Sequence, residues 1–244
     1  MIVVNGVTGS IGHTVATFLI EKGYQVVGVG RDFEKLKKIE SQLKGLIPIA
    51  LGDTKAIDQL SHFVAQFKEL DLVDSTIEGY VHCVGAFERF SSPLDISYKE
   101  WEESISTNLT LNFSWNQWAL KEMHANAHGS IVNLVSQASK TGGFSPITPY
   151  AAAKGGVVSM TKNLSNWAGQ FNIRVNCVSP GFVENEMMNN NLDEELKINM
   201  LSKVPLKRFA KNVEVAHAVH FLISPESKYI TGTILDVSGG LTNI

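Results

Sequence analysis

The chain has 244 residues, 44% of them hydrophobic and 18% charged, with a formal net charge of -3. This is the composition of a folded protein rather than a disordered tail, and the length suits one doubly wound α/β domain spanning residues 1–244. The charge offers polyanions no general attraction, and the short basic run Lys35-Leu36-Lys37-Lys38 is flanked by Glu34 and Glu40, so neither nucleic acid nor a membrane is an expected partner. The first residues lack a basic start and a long apolar core, and no stretch of 18 apolar residues occurs elsewhere. A cytoplasmic location is the expectation. Cys83 and Cys177 lie in apolar strand-like runs and read as buried free thiols.

In chain order, apolar β-rich runs alternate with helical patterns, the mark of βαβ units around a parallel sheet. Ile2 to Asn5 reads as the first strand, followed by a glycine turn and a helix from about Ile11 to Lys22. Tyr24 to Val29 is the second strand, with a charged helix near Phe33 to Gln42 behind it. Leu46 to Leu51 is the third, after which Ile57, Leu60, Phe63, Val64 and Phe67 recur at helical spacing. Ile77 to Val84 is the fourth, and a long helix is expected from about Tyr98 to His124, with Ser97 suited to cap it. Ser130 to Val135, Ile173 to Val178 and Thr233 to Val237 are the remaining strands. Helices from Tyr150 to Gly169 and from Asn212 to Leu222 separate them. The fold expected is a Rossmann-like doubly wound parallel seven-stranded sheet with helices on both faces.

Two constellations carry chemistry. In Asn5-Gly6-Val7-Thr8-Gly9-Ser10-Ile11-Gly12, glycines between a strand and a helix let backbone approach a pyrophosphate, whose charge is met by free N–H groups at the helix start. Such turns also occur without a ligand. A phosphate loop for ATP or GTP is excluded, because His13 rather than Lys follows Gly12. The second constellation is Tyr150-Ala151-Ala152-Ala153-Lys154. Four residues place both polar side chains on one helix face, where an ammonium favours the tyrosinate. Ser136 stands at the end of the fifth strand, where open α/β sheets present ligand-contacting groups.

With these motifs in order, the chain resembles the short-chain dehydrogenase/reductase family over nearly its whole length, close in pattern to the 3-oxoacyl-carrier-protein reductases. The resemblance also rests on Asn108 within Trp101-Glu102-Glu103-Ser104-Ile105-Ser106-Thr107-Asn108, on Asn176-Cys177-Val178-Ser179-Pro180-Gly181, and on the tail from Tyr229 to Gly240. It implies an oxidoreductase interconverting a ketone and a secondary alcohol by hydride transfer, with Asn108, Ser136, Tyr150 and Lys154 as the catalytic set. Tyr150 would be the acid/base. Ser136 would hold the substrate oxygen, Lys154 would bind the nicotinamide ribose and lower the Tyr150 pKa, and Asn108 would orient a water leading to solvent. Gly6, Ser10, Ile11, Gly12, Arg31, Asp53, Gly85, Pro180, Gly181 and Val183, with Tyr150 and Lys154, would form the cofactor site. Ser136, Phe144, Tyr150, Phe182 and Met187 would meet the substrate beneath a lid at about 182–206. Position 30 is Gly rather than an acidic residue and Arg31 follows it, so NADP(H) is the preferred cofactor and NAD(H) an alternative.

The pattern has departures. Ser10 stands where the family's second glycine is usual, and His82-Cys83-Val84-Gly85 replaces Asn-Asn-Ala-Gly. Ser136 precedes Tyr150 by fourteen positions, one more than is commonest, and Ser238 replaces an acidic residue, with Asp236 two positions earlier. A non-catalytic dinucleotide-binding member is the alternative. The pairs His124/His128 and His217/His220 have metal-compatible spacing but no evident third ligand, so no metal is expected. No Gly-x-Ser-x-Gly elbow surrounds Ser136, which sets aside acyl transfer. The resemblance, with the apolar surplus of Leu109, Leu111, Phe113, Trp115 and Leu120, leads to an expected homotetramer.

Overall fold

The computed structural model describes residues 1–55, 58–70, 76–184 and 194–241. Seven parallel strands, β1 (Ile2–Asn5), β2 (Val26–Gly30), β3 (Leu46–Ala50), β4 (Gly79–His82), β5 (Gly129–Leu134), β6 (Ile173–Pro180) and β7 (Ile234–Val237), form one sheet in the order β3-β2-β1-β4-β5-β6-β7. The central strands β1, β2, β4 and β5 are buried along their whole length, which is why they read as continuous apolar runs rather than alternating ones. The order in which successive strands are added reverses between β1 and β4, all strands staying parallel. That is the switch point where open α/β sheets leave a crevice at the strands' carboxyl ends.

Helices α1 (Ser10–Glu21), α2 (Phe33–Gln42), α3 (Gln59–Glu69), α4 (Tyr98–Ile105), α5 (Leu111–His124), α6 (Ala138–Thr141), α7 (Thr148–Ala168), α8 (Glu194–Ser202) and α9 (Asn212–Ile223) complete the described fold. Each sheet face has its own core. On one, Phe63 of α3 packs against Trp115 and Trp118 of α5, with the Tyr80 ring stacked on Trp115 at 6.0 Å between centroids. On the other, Val15, Ala16 and Leu19 of α1 meet Val215, Val219 and Leu222 of α9 over Ile2, Val4 and Val132. Most of the apolar surplus expected on α5 is absorbed here. Leu111, Trp115, Trp118, Leu120 and Met123 are buried, while Phe113 stays 45% exposed.

Three local features differ from the sequence expectation. The helix from Tyr98 to His124 is interrupted by one π turn, Ser106–Thr110. The stretch between Ser136 and Tyr150 holds the short helix α6. The region after Gly181 contains α8, and of the expected lid, Met187 lies outside the described residues.

Candidate active site

The cofactor end is built by the β1–α1 turn. Gly6 adopts φ +93°, a left-handed value that favours glycine, and a Cβ on Gly12 would come within 2.2 Å of the Gly6 carbonyl oxygen. The turn is therefore folded tightly onto the first helical residues. Its N-cap, Gly9, offers no side chain to the opening amides, whereas Asp32 caps α2 and Ser97 caps α4. Gly9 and Ser10 are exposed. Free N–H groups at an uncapped, open helix start fit an anionic pyrophosphate. Ser10, in the place of the second glycine, is the first residue of α1, and the turn closes around it with Gly9 N–H donating to Gly6 O at 3.1 Å.

At the end of β2, a Cβ on Gly30 would meet Thr8 Cγ2 at 2.5 Å, so an acidic side chain has no room there. Asp32 is committed elsewhere. Its carboxylate accepts from Lys35 N at 3.0 Å and pairs with Lys35 Nζ at 3.5 Å, and the backbone bond holds its pKa below the usual carboxylate value. Arg31 is exposed at the rim, as is Asp53 after β3.

The catalytic end gathers the four expected side chains at the mouth of β4, β5 and α7. The Ser136 oxygen accepts from the backbone N–H of Ala138 at 3.2 Å, which leaves its own hydrogen to point at the Tyr150 oxygen. The Ser136 hydroxyl lies beside the Tyr150 hydroxyl, and its dipole favours the ionised form. Burial outweighs it, so Tyr150 is pushed above its ordinary value. The expected lowering by Lys154 is not the dominant effect here, because the ammonium lies 5.8 Å from the centre of the Tyr150 ring and donates to Leu134 O at 3.0 Å. Lys154 itself is 3% exposed, and desolvation brings it down to about 8.

Asn108 sits within the π turn and is fully buried. It clamps the chain leaving β4: Ala86 N–H donates to its Oδ1 at 3.0 Å, and its Nδ2 donates to Ala86 O and Ser104 O, each at 3.0 Å. Gly85 lies at the same corner, where a Cβ would stand 3.2 Å from Lys154 Nζ and 3.3 Å from Asn108 Oδ1. In the altered segment before it, His82 Nε2 is buried without a hydrogen-bond partner among the described residues. His82 is buried with Nδ1 paired to the Tyr80 hydroxyl at 2.6 Å, and burial, aided by the Lys154 charge, holds its pKa well below the ordinary value. Burial also pushes the Cys83 thiol up to about 12.

On the far side, Gly181 N donates to Val237 O at 3.0 Å, and a Cβ on Gly181 would meet Ser238 Cα at 3.0 Å, which fixes the Pro180-Gly181 turn against β7. Val183 is buried beside it and bridges to Ala210. Phe182 approaches Phe144 and Phe209, with ring centres 6.2 and 6.3 Å away, and Lys203 lies 4.3 Å over the Phe144 ring. Phe87, half-exposed, stands edge-on to Tyr150 at 5.4 Å. Phe87, Phe209 and Lys203 were not among the expected site residues, since an isolated aromatic or lysine in a loop carries no periodic signal.

The family model described as Enoyl-(Acyl carrier protein) reductase matches residues 6–242. The chain belongs to the short-chain dehydrogenase/reductase family. Curated relatives of this short-chain dehydrogenase/reductase include the 3-oxoacyl-[acyl-carrier-protein] reductase of Rickettsia bellii, 31% identical over 98% of this chain and 95% of the relative. The enzyme of the same name from Staphylococcus aureus (strain Mu50) is 32% identical over 98% of this chain and 96% of that one. The crystal structure of 3-oxoacyl-[acyl-carrier protein] reductase from Brucella melitensis superposes with a TM-score of 0.88 at 26% identity, covering 98% of this chain and 90% of that one. Membership makes the protein an oxidoreductase of the family, one that uses a nicotinamide dinucleotide. No described helix is long and apolar enough to cross a membrane.

Proposed function

We propose that this protein reduces a ketone to a secondary alcohol with NADPH, with a 3-oxoacyl thioester as the substrate class to try first. The observation that carries the reading is the gathering of Ser136, Tyr150, buried Lys154 and Asn108 at the carboxyl end of the parallel sheet, the same end as the uncapped start of α1. When bound, NADPH supplies the hydride. Charge then grows on the carbonyl oxygen, where the Ser136 hydroxyl, turned from the Tyr150 oxygen to the substrate, stabilises it and Tyr150 delivers the proton. Lys154 holds the nicotinamide ribose and supports the tyrosinate left behind, and Asn108 orders a water that returns a proton to Lys154. Gly6, Ser10, Ile11, Gly12, Asp53, Gly85, Pro180, Gly181 and Val183 would hold the dinucleotide. Phe144 and Phe182 line the substrate's path; Met187, expected there from the sequence, lies outside the described residues. A panel of 3-oxoacyl thioesters and simple ketones, followed by loss of NADPH absorbance, tests the reading; cofactor binding with no turnover across the panel would sink it.

NADP(H) preference follows from the crowding of Gly30 by Thr8, the diversion of Asp32 into its helix cap, and the exposed Arg31 beside them. A charge-assisted contact of about 1.5–3 kcal/mol corresponds to roughly ten- to a hundredfold in affinity. Arg31→Ala is expected to weaken NADPH binding by that factor and leave NADH within about twofold, as measured by fluorescence titration. Equal losses for both cofactors would point to a general role for Arg31 instead.

The assembly proposed is a homotetramer, supported by the family resemblance and by the exposed aromatic residues Phe113 on α5 and Trp167 on α7. Light scattering should give a tetramer mass, and a concentration-independent monomer would overturn it.

A further inference from the structure

Ser136 is followed by a single turn of helix, α6, which ends in Gly142 and Gly143 at φ +76° and +89°. Four residues do not make a self-supporting helix, so contacts from outside must fix it. They come from the sheet edge. Gln137, 3% exposed, has Nε2 within 3.0 Å of Ser179 O, 3.1 Å of Ser179 Oγ and 3.0 Å of Asp236 Oδ1. At the other end of the turn, Lys140 Nζ donates to both oxygens of the same carboxylate, at 2.7 and 2.5 Å. Asp236, on β7, thus grips both ends of the turn. Through Gln137 and Ser179 that grip is tied to the strand leading into Pro180-Gly181. Ser136 cannot move independently of this unit, because its carbonyl accepts from Ser139 N at 2.9 Å and Ser139 Oγ at 2.6 Å, and its own oxygen accepts from Ala138 N.

From these contacts we propose that Asp236 is a positioning residue for carbonyl reduction, orienting the Ser136 hydroxyl by clamping α6 through Gln137 and Lys140. The proposal rests on the reading of Ser136 as the group that holds the substrate oxygen. It gives Asp236 a task distinct from its place in the strand: β7 pairs with β6 through backbone groups, and the carboxylate is not needed for that ladder.

The test compares wild type with Asp236→Ala, Asp236→Asn and Lys140→Gln. Small displacements of a catalytic group carry large rate effects, so Asp236→Ala should lower kcat on the order of tenfold. Asp236→Asn keeps an acceptor for Gln137 and should lose less, as should Lys140→Gln. NADPH affinity should change less than kcat, since the clamp touches neither the glycine turn nor Arg31 and meets the Pro180-Gly181 turn only through Gln137 and Ser179. The charge-exchanged double variant, Lys140→Asp with Asp236→Lys, should recover part of the lost kcat. Hydrogen exchange gives a readout that needs no substrate. The amides of Lys140, Thr141 and Gly142, which bond back to Gln137 and Ala138 carbonyls, should exchange faster in Asp236→Ala. Faster exchange with lower kcat supports the proposal. Unchanged exchange overturns the clamp whether or not a substrate has been found. Faster exchange at unchanged kcat, or a lower melting temperature as the sole effect, overturns the positioning role. A wild type that binds NADPH but reduces nothing defeats the proposed function instead, and the exchange comparison still decides the clamp.

Discussion

Replacing Tyr150 by phenylalanine is expected to lower kcat by about 10²–10⁴-fold while NADPH affinity changes by less than about threefold. The ring is held edge-on to Phe87, and its packing survives the substitution. What is lost is the hydroxyl beside Ser136 that delivers the proton as charge develops on the carbonyl oxygen. Burial keeps that hydroxyl protonated at neutral pH before substrate arrives, as a proton donor requires. Steady-state kinetics on a ketone that the wild type reduces, with cofactor titration alongside, separates the two quantities. An unchanged kcat in a folded variant would remove Tyr150 from the chemistry.

Lys154→Met should impair both binding and chemistry, with kcat/KM falling at least about a hundredfold, yet it should make the protein more stable at neutral pH. The buried ammonium has its pKa lowered from 10.5 to about 8, chiefly by desolvation. Between those values the unfolded chain retains a proton that the folded chain has released, so stability rises with pH across that window. Below about pH 8 the folded protein carries the full cost of the buried charge. The methionine removes that cost but leaves the Leu134 carbonyl without its donor. The net gain should be about 1–2 kcal/mol, or roughly 2–8 °C in Tm at pH 7. The gain should shrink as the pH is raised through the window. A variant destabilised at pH 7 and unchanged in activity would mean that Lys154 is a structural cation. These two outcomes distinguish a residue kept for function at the expense of stability from one kept for the fold.

Most of the scaffold was legible in the sequence because parallel strands buried on both faces leave unbroken apolar runs such as Ile2-Val3-Val4 and Ile131-Val132, and amphipathic helices lie between them. Ser97 marked the start of α4 through local chemistry alone. The π turn at Ser106–Thr110 left no trace, since one extra residue in a helical ladder barely disturbs the apolar spacing, although it is where Asn108 sits. Helix α6 was equally hidden. It exists through Gln137, Lys140 and Asp236, and the last of these is about a hundred positions away. The chemistry of His82 was also out of reach: a lone histidine in a strand does not reveal that Tyr80, two residues earlier, pairs with its Nδ1. Conversely, the empty space at Gly30 looked like a missing acidic residue, and only the fold shows that Thr8 fills it.

The central claim is that hydride goes to a carbonyl carbon beside Tyr150, and isotope transfer tests it most directly. Wild-type protein would be mixed with NADPH carrying deuterium at both C4 positions and with a 3-oxoacyl thioester, and the product would be analysed by mass spectrometry and NMR after a single turnover. One deuterium is expected on the new carbinol carbon, in amounts equal to the NADPH consumed, and none of that product from Tyr150→Phe in the same interval. Deuterium delivered to a carbon–carbon double bond of an enoyl substrate, with the ketone left untouched, would contradict it.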